Sequence, residues 1–139
     1  MELDFAFLAD GAEAINGKIY TVGGALDTIW SANLPMVYPR LSFVLKLLFS
    51  PAEVGRKHRL EVNLIDEDGK RLGGGIGADL EISKGPNVPR GWKQGFLTVI
   101  NFANLKFEKF GDYSFEILVN NSSIKMIPLR IAQRVQLQS

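Results

Sequence analysis

The stretch from Gly17 to Trp30, GKIYTVGGALDTIW, contains two strand-like segments separated by a pair of glycines. β-Branched and aromatic residues favour extended backbone, and glycine accepts the conformations that a sharp bend or bulge requires. The Asp-Thr pair after the bend can hydrogen-bond the backbone, and the tryptophan is expected to cover the open end of the core. We interpret the stretch as a corner at which the chain passes between two β-sheets. The residues of this predicted corner are Gly23, Gly24, Asp27, Thr28 and Trp30.

Apolar and polar residues alternate with a period of two in most of the chain, which is typical of half-buried strands. In the segment RLEVNLID, for example, Leu60, Val62 and Leu64 are expected to point inward. About eight or nine such segments are separated by clusters of Gly, Pro, Asn and Asp, a spacing typical of a sandwich or barrel. The sequence therefore predicts an all-β, antiparallel β-sandwich that occupies residues 1–139 as a single domain.

The N-terminal segment carries two more detailed expectations. Leu3, Phe5 and Phe7 should share one face of a first strand. The residues from Asp10 to Asn16 are consistent with one helical turn, with Asp10 as its cap, or with a loop between strands.

Composition excludes several classes of protein. The chain has no cysteine, so disulfide scaffolds, thiolate zinc sites and cysteine nucleophiles are excluded. Its net charge of +1 gives no general attraction to nucleic acid. No apolar run approaches the ~20 residues of a membrane-spanning helix, and acids stand where a signal peptide would carry Lys or Arg. We therefore expect a cytoplasmic protein that binds neither nucleic acid nor membrane.

Two glycine- and acid-rich segments resemble ligand-binding motifs but are better explained as turns. The segment from Gly73 to Ala78 matches a dinucleotide-binding spelling, G-x-G-x-x-A, but the residues after it alternate as a strand and do not begin a helix. The acidic triplet that begins at Asp66 lacks the ligand spacing of a calcium loop. The Asp68-Gly69 pair that follows is a strong hairpin signal. The sequence thus predicts no metal and no cofactor.

Catalytic arrangements are weakly represented. His58 is the only histidine, lies between two basic residues and is expected to be exposed. Asp10, Glu13 and Asp27 lie near the glycine bend and would suit a hydrolase only if two of them faced one cleft. No residue is assigned a catalytic role from the sequence.

Two resemblances bear on the fold. The segment GDYSFEI, which contains Tyr113, resembles the G-x-Y-x-F-x-I pattern of immunoglobulin-like sandwiches, where such a tyrosine bonds back to an adjacent loop. The N-terminal pattern AFLAD-x-AE, followed by GK-x-Y-x-x-GG and DTIW, resembles a family of small, uncharacterised bacterial proteins. That resemblance spans most of the chain and implies a β-sandwich, with immunoglobulin-like or related Greek-key topology as the expected arrangement. It implies no activity.

The function favoured by the sequence is a non-catalytic protein-interaction or structural module, whose partner is another protein or a second copy of the chain. The candidate binding residues lie in a long Gly- and Pro-rich loop and just after it, and belong to types enriched at interfaces: Arg90, Trp92, Lys93 and Phe96.

Three alternatives remain open from the sequence. Trp92 could instead fold back onto the core. A small-ligand domain of carbohydrate-binding type would stack its ligand on Trp30, Tyr38 and Trp92, and a hydrolase would use the carboxylates named above. The segment from Arg130 to Leu137 is expected to pair at a sheet edge, either of this chain or of a second chain.

Overall fold

The computed structural model describes residues 1–73 and 75–135, and these residues form nine β-strands and no helix. The strands are β1 (Glu2–Ile15), β2 (Lys18–Leu26), β3 (Thr28–Ser31), β4 (Met36–Phe49), β5 (Lys57–Ile65), β6 (Ile76–Glu81), β7 (Gln94–Phe107), β8 (Gly111–Val119) and β9 (Ser122–Gln133).

The strands form two sheets. One sheet has four strands in the order β2-β1-β4-β7, and the other has five in the order β3-β9-β8-β5-β6. All pairs are antiparallel except β3 with β9, which are parallel. The expected all-β architecture is confirmed, and the expected antiparallel pairing holds for every pair except β3 with β9.

The hydrophobic core lies between the two sheets, because the alternation places one face of each strand inward. Leu60, Val62 and Leu64 of β5 are buried, as expected. Phe43 of the four-stranded sheet packs on Phe115 of the five-stranded sheet, with ring centroids 5.5 Å apart. The same cluster of buried side chains therefore joins both layers.

The expectation that Leu3, Phe5 and Phe7 share one face of the first strand is wrong, because Leu3 packs on the core and Phe5 and Phe7 do not. A bulge in the pairing of β1 with β4 lies between Leu3 and Phe5 and reverses the alternation. Leu8 is consequently buried in the core. Phe5 and Phe7 stack on each other, with centroids 5.9 Å apart, and are only partly buried.

The tight turns follow their sequence signals, although one replaces an expected helix or loop. Asn16 and Gly17 both have positive φ and join β1 to β2 in a two-residue hairpin, so β1 is extended through Ile15. The helical-turn and loop alternatives for residues 10–16 are therefore wrong. Asn120 and Asn121 make the equivalent turn between β8 and β9.

The other glycine-rich segment continues into a strand. β6 begins at Ile76 and pairs antiparallel with β5, so no helix N-terminus follows the glycine run in the described residues. Gly74 lies outside the described residues. The Asp68-Gly69 turn is closed by a hydrogen bond of 2.9 Å from the Asp66 N–H to the Lys70 carbonyl.

Candidate functional site

A groove lies at the end of the molecule where β4 finishes and β7 begins. It is a cavity of about 290 Å³ between the turn at residues 51–55 and the loop at residues 84–94. We call it the Trp92 groove. Its main side chains are Pro51, Val54, Lys84, Val88, Arg90 and Trp92.

The loop conformation keeps Trp92 away from the core. The backbone N–H of Trp92 donates to the carbonyl of Pro89 at 3.2 Å, which closes a turn. Gly91 within this turn has φ of 88°, a left-handed conformation that favours glycine. Trp92 is 65% exposed as a result. The alternative in which Trp92 folds back onto the core is therefore wrong.

The opposite wall of the groove is fixed by Glu53. Its carboxylate pairs with the α-amino group of Met1 and accepts a hydrogen bond of 2.9 Å from the N–H of Ser50. These two interactions, the first being the larger, lower the pKa of the Glu53 carboxyl to about 2. Gly55 continues the wall by donating its N–H to the carbonyl of Ile82 at 2.8 Å. The turn is thus tied to the N-terminus and to the start of the loop.

The groove is electropositive. Lys84 and Arg90 both line it, and none of the acidic side chains that the structure describes does. Two acids at this end of the molecule are already paired, since Glu53 binds the α-amino group and Glu2 binds the ammonium of Lys93 at 2.8 Å. Neither Lys84 nor Arg90 forms an ion pair with any residue in the described ranges.

The structure brings together two of the four predicted binding residues. Arg90 and Trp92 line the groove. Lys93 points to Glu2, and the hydrogen bond and charge of that carboxylate raise the pKa of its ammonium. Phe96 packs edge-on against Phe49 of the core, with centroids 6.5 Å apart. Phe96 is separated from Arg90 and Trp92 because it is an inward-facing residue of β7, whereas they lie in the loop before this strand.

Sequence reasoning missed the rest of the lining. Pro51 and Val54 come from a turn about 40 residues earlier in the chain, and only the fold places them opposite the loop. Lys84 and Val88 belong to the same irregular segment as Trp92. The one sequence signal that these two residues line the groove is that they belong to that segment.

The aromatic residues considered for a carbohydrate site do not converge. Trp92 lines the groove at the Phe49 end of β4, where Phe49 pairs with Gln94. Tyr38 lies near the other end of the same strand, about 35 Å away at ~3.3 Å per residue. Trp30 is 58% exposed on the outer face of the five-stranded sheet, because its neighbour Ile29 points into the core.

The candidate carboxylates are also separated or used locally. Asp10 and Glu13 are three residues apart on β1 and so point to opposite faces of the sheet. Asp10 accepts a hydrogen bond from the Tyr38 hydroxyl. Asp27 accepts one of 3.0 Å from its neighbour Thr28, and its carbonyl accepts from the N–H of Arg130. Asp10 and Glu13 therefore do not face one cleft, as the two carboxylates of a hydrolase would need to.

His58 is buried, so the expectation of an exposed histidine is wrong. It lies two residues before Leu60 on the same inward face of β5, and only 8% of it is exposed. Its Nε2–H donates to the Glu53 carbonyl at 2.9 Å, and its Nδ1 accepts from the Asn120 amide at 3.1 Å. Both nitrogens are therefore engaged in structural contacts.

The predicted corner residues lie where the chain leaves the first sheet. Gly23 has φ of 62°, and a Cβ there would clash with the Asp10 carboxylate unless that side chain moved. Gly24 pairs with Ala9 across a bulge that includes Ala25. Asp27 then separates β2 of one sheet from β3 of the other. The expectation that Trp30 covers the core is wrong, since Ile29 takes that position.

A model of a family of unknown function, DUF6941, matches residues 4–132. The chain belongs to this family. The match to DUF6941 covers all nine strands apart from the first residues of β1 and the last of β9, and it includes the whole Trp92 groove. A search of curated proteins found no match.

The remaining surfaces of this DUF6941 member offer less for ligand chemistry. In residues 1–73 and 75–135, no group of three or more His, Cys, Asp or Glu side chains is arranged to hold a metal ion. No helix in the described part of the chain could span a membrane. The larger cavity near Tyr113 is lined by acids and bases together, including Asp66, Asp68, Lys106 and Lys109, so it has no consistent charge preference.

Proposed function

We propose that this protein is a non-catalytic protein-binding module that captures an acidic, apolar segment of a partner protein in the Trp92 groove. The observation that carries the proposal is a tryptophan, Trp92, that is 65% exposed beside a cavity whose lining, among the described residues, has two cations and no acid. An apolar side chain of the partner would pack on the indole, and carboxylates would pair with Lys84 and Arg90.

Energetic considerations support tryptophan as the anchor. Trp and Arg are the residue types most often found among binding hot spots, where truncation costs about 2 kcal/mol or more. Trp92 is already held by the turn at Pro89, so binding would order little additional backbone. Preorganisation of this kind reduces the entropic cost of association.

A protein segment fits the groove better than a carbohydrate does. A sugar site would require acids or amides placed to receive hydroxyl groups beside a stacking ring. The groove offers Gln94 for that role, while its charged groups are Lys84 and Arg90. The other two aromatic residues that the carbohydrate hypothesis requires lie elsewhere on the molecule.

We also infer an immunoglobulin-like Greek-key topology for the sandwich. The order β9-β8-β5 in one sheet would correspond to strands G, F and C, and the β4–β7 pair in the other to strands B and E. β3, which pairs in parallel with β9, would be the short strand that joins strand G at the edge of the sheet. Tyr113 near the start of β8 donates its hydroxyl to the carbonyl of Lys109 at 2.7 Å, which supports the assignment as a tyrosine corner. Such sandwiches commonly present binding loops at their ends, where the Trp92 groove lies.

The proposal is tested by selecting peptides from a random displayed library on the immobilised protein. We expect selected sequences to be enriched in Asp or Glu next to large apolar residues. Their binding should weaken at least tenfold with Trp92→Ala and with Arg90→Glu. Trp30→Ala is the matched control, because Trp30 is also more than half exposed but lies outside the groove; it should leave binding unchanged.

Two results would contradict the proposal. One is selected peptides that bind the Trp92→Ala variant as tightly as the wild type. The other is a selection without acidic enrichment, which would remove the role assigned to Lys84 and Arg90.

A further inference from the structure

The edge strand β7 is paired on one side only. It is the terminal strand of the four-stranded sheet and pairs with β4 from Gln94 to Phe107. No backbone hydrogen bond from the described residues reaches its other side between Gly95 and Phe107. A strand of 14 residues thus presents a row of unpaired N–H and C=O groups.

The other three edges of the sandwich carry features that discourage pairing with another chain. β3 has only 4 residues, and β6 has 6, of which Asp79 and Glu81 are charged. β2 is interrupted near its end by Gly23 and Ala25, both with positive φ. Short strands, charges and bulges are the usual means by which natural sheets protect an edge.

β7 has none of these protections over most of its length. From Gln94 to Leu105 it contains no charged residue and no proline. Its first left-handed residue is Asn104, with φ of 52°. A long, uncharged edge strand with high β-propensity is expected to pair with another strand unless something covers it.

The core is also open along this edge. Thr98 and Ile100 point inward but remain partly exposed, whereas their β4 partners Leu45 and Phe43 are fully buried. The inward side chains of β7 and β6 line a small, almost entirely apolar groove of about 80 Å³ between the two edges. Ile76 of β6 is 37% exposed there.

We propose that a second copy of this chain covers the edge, by antiparallel pairing of β7 with β7 of the partner about a two-fold axis near Val99. Such pairing is self-complementary, because an antiparallel strand pair can be two-fold symmetric. The uncharged run from Gln94 to Leu105 brings no like charges together across the axis. An edge-to-edge pair of this kind would join two four-stranded sheets into one of eight.

The same arrangement closes the open side of the core. A two-fold axis perpendicular to the sheet keeps the inward faces of both copies on the same side. The partner's Phe96, Thr98 and Ile100 would therefore extend the apolar layer that each monomer leaves incomplete. Each copy supplies the kind of side chain that the other lacks at this edge.

The dimer is distinct from the proposed partner binding. Trp92 precedes β7 and lines the Trp92 groove, whereas the proposed axis lies near Val99; Gln94, the first residue of β7, lines the groove as well. Dimerisation should survive Trp92→Ala. Failure of one proposal therefore does not entail failure of the other.

Sedimentation velocity over a concentration series tests the pairing. The wild type should shift from 15.4 kDa toward twice that mass as its concentration rises. Val99→Lys, on the outer face at the centre of the edge, should remain a monomer. Val22→Lys is the matched control, since it places the same charge on the β2 edge, where Val22 is 73% exposed; it should dimerise like the wild type.

Cysteine crosslinking tests the geometry without a charge in the sheet, so the test stands even if Val99→Lys fails to fold. The chain has no cysteine of its own. In Val99→Cys the two thiols would lie across the axis, on backbones about 4.5–5.5 Å apart, within disulfide range. Mild oxidation should give a covalent dimer, whereas Val22→Cys should stay monomeric.

The proposal is overturned by a wild type that remains monomeric throughout the series. It is equally overturned if folded Val99→Lys still dimerises, or if Val22→Cys crosslinks as readily as Val99→Cys. A stable complex with another protein's strand at β7, without self-association, would also replace the second copy as the occupant.

Discussion

Replacement of Glu53 by glutamine should destabilise the protein at neutral pH and have progressively less effect in acid. Glu53 holds the wall of the Trp92 groove through the α-amino group of Met1 and the N–H of Ser50. Glutamine keeps the size of the side chain and can still accept a hydrogen bond, but it has no charge to pair with the amine.

The magnitude follows from the pKa of the carboxyl, which falls from 4.5 to about 2 on folding. A difference of about 2.5 units corresponds to roughly 3 kcal/mol at 1.36 kcal/mol per unit. The Glu53 side chain is 27% exposed, and solvent screens surface pairs, so we expect about 1–2 kcal/mol. Because the folded pKa is the lower one, this stability is present above pH 4.5 and is lost as the pH falls toward 2.

Urea denaturation of the wild type and of Glu53→Gln at several pH values from 7 to 2.5 provides the assay. The difference in the free energy of unfolding should shrink as the pH decreases. Glu108→Gln is the control, because Glu108 is 74% exposed and its pair with Lys106, at 3.6 Å, is weak. This substitution should change the free energy of unfolding little at any pH. An equal loss for Glu53→Gln at every pH would refute the reasoning, since it would reflect packing and not charge.

Three further predictions concern the backbone and the tyrosines. Tyr113→Phe should lower the free energy of unfolding by about 1–2 kcal/mol, because the buried hydroxyl donates to a backbone carbonyl. Thermal denaturation measures this loss, and the control Tyr20→Phe, at a 56% exposed site, should show no effect. Ala25→Gly should raise stability by about 0.5 kcal/mol in urea denaturation, since relief of the left-handed conformation at φ of 62° exceeds the entropic cost of glycine. Burial, then the hydrogen bond to Asp10 and its charge, raise the pKa of Tyr38 to about 12; spectrophotometric titration of Asp10→Asn should show this phenol ionising at lower pH.

The strands and turns were largely accessible from the sequence because they are encoded locally. Alternation identifies the inward face of β5, and the Asp68-Gly69 pair identifies the turn that follows this strand. The first strand shows the limit of this reasoning. A bulge between Leu3 and Phe5 adds one residue and moves the side chains that follow to the opposite face, and no residue type in the segment signals it.

The candidate site was only partly accessible for the same physical reason. Loop composition pointed to Trp92 and Arg90, which share a segment rich in Pro and Gly. The opposing wall at Pro51 and Val54 depends on how β4 and β7 pair, and pairing between distant segments has no local signature. The expectation of an exposed His58 fails because its position on the inward face of β5, and not its charged neighbours, determines its burial.

The meaning of β7 depends wholly on its position in the sheet. The segment from Phe96 to Phe102 is apolar except for Thr98 and Asn101. It would be unremarked in a central strand, where both rows of backbone groups are paired and both faces are covered. Its place beyond β4 turns the same residues into an uncovered edge next to an open core. A charged residue there would protect a monomer at little cost, since outer-face positions such as Val99 can extend a long side chain into solvent. The lack of such a residue, beside three edges that are protected, is explained if β7 is covered in the functional protein.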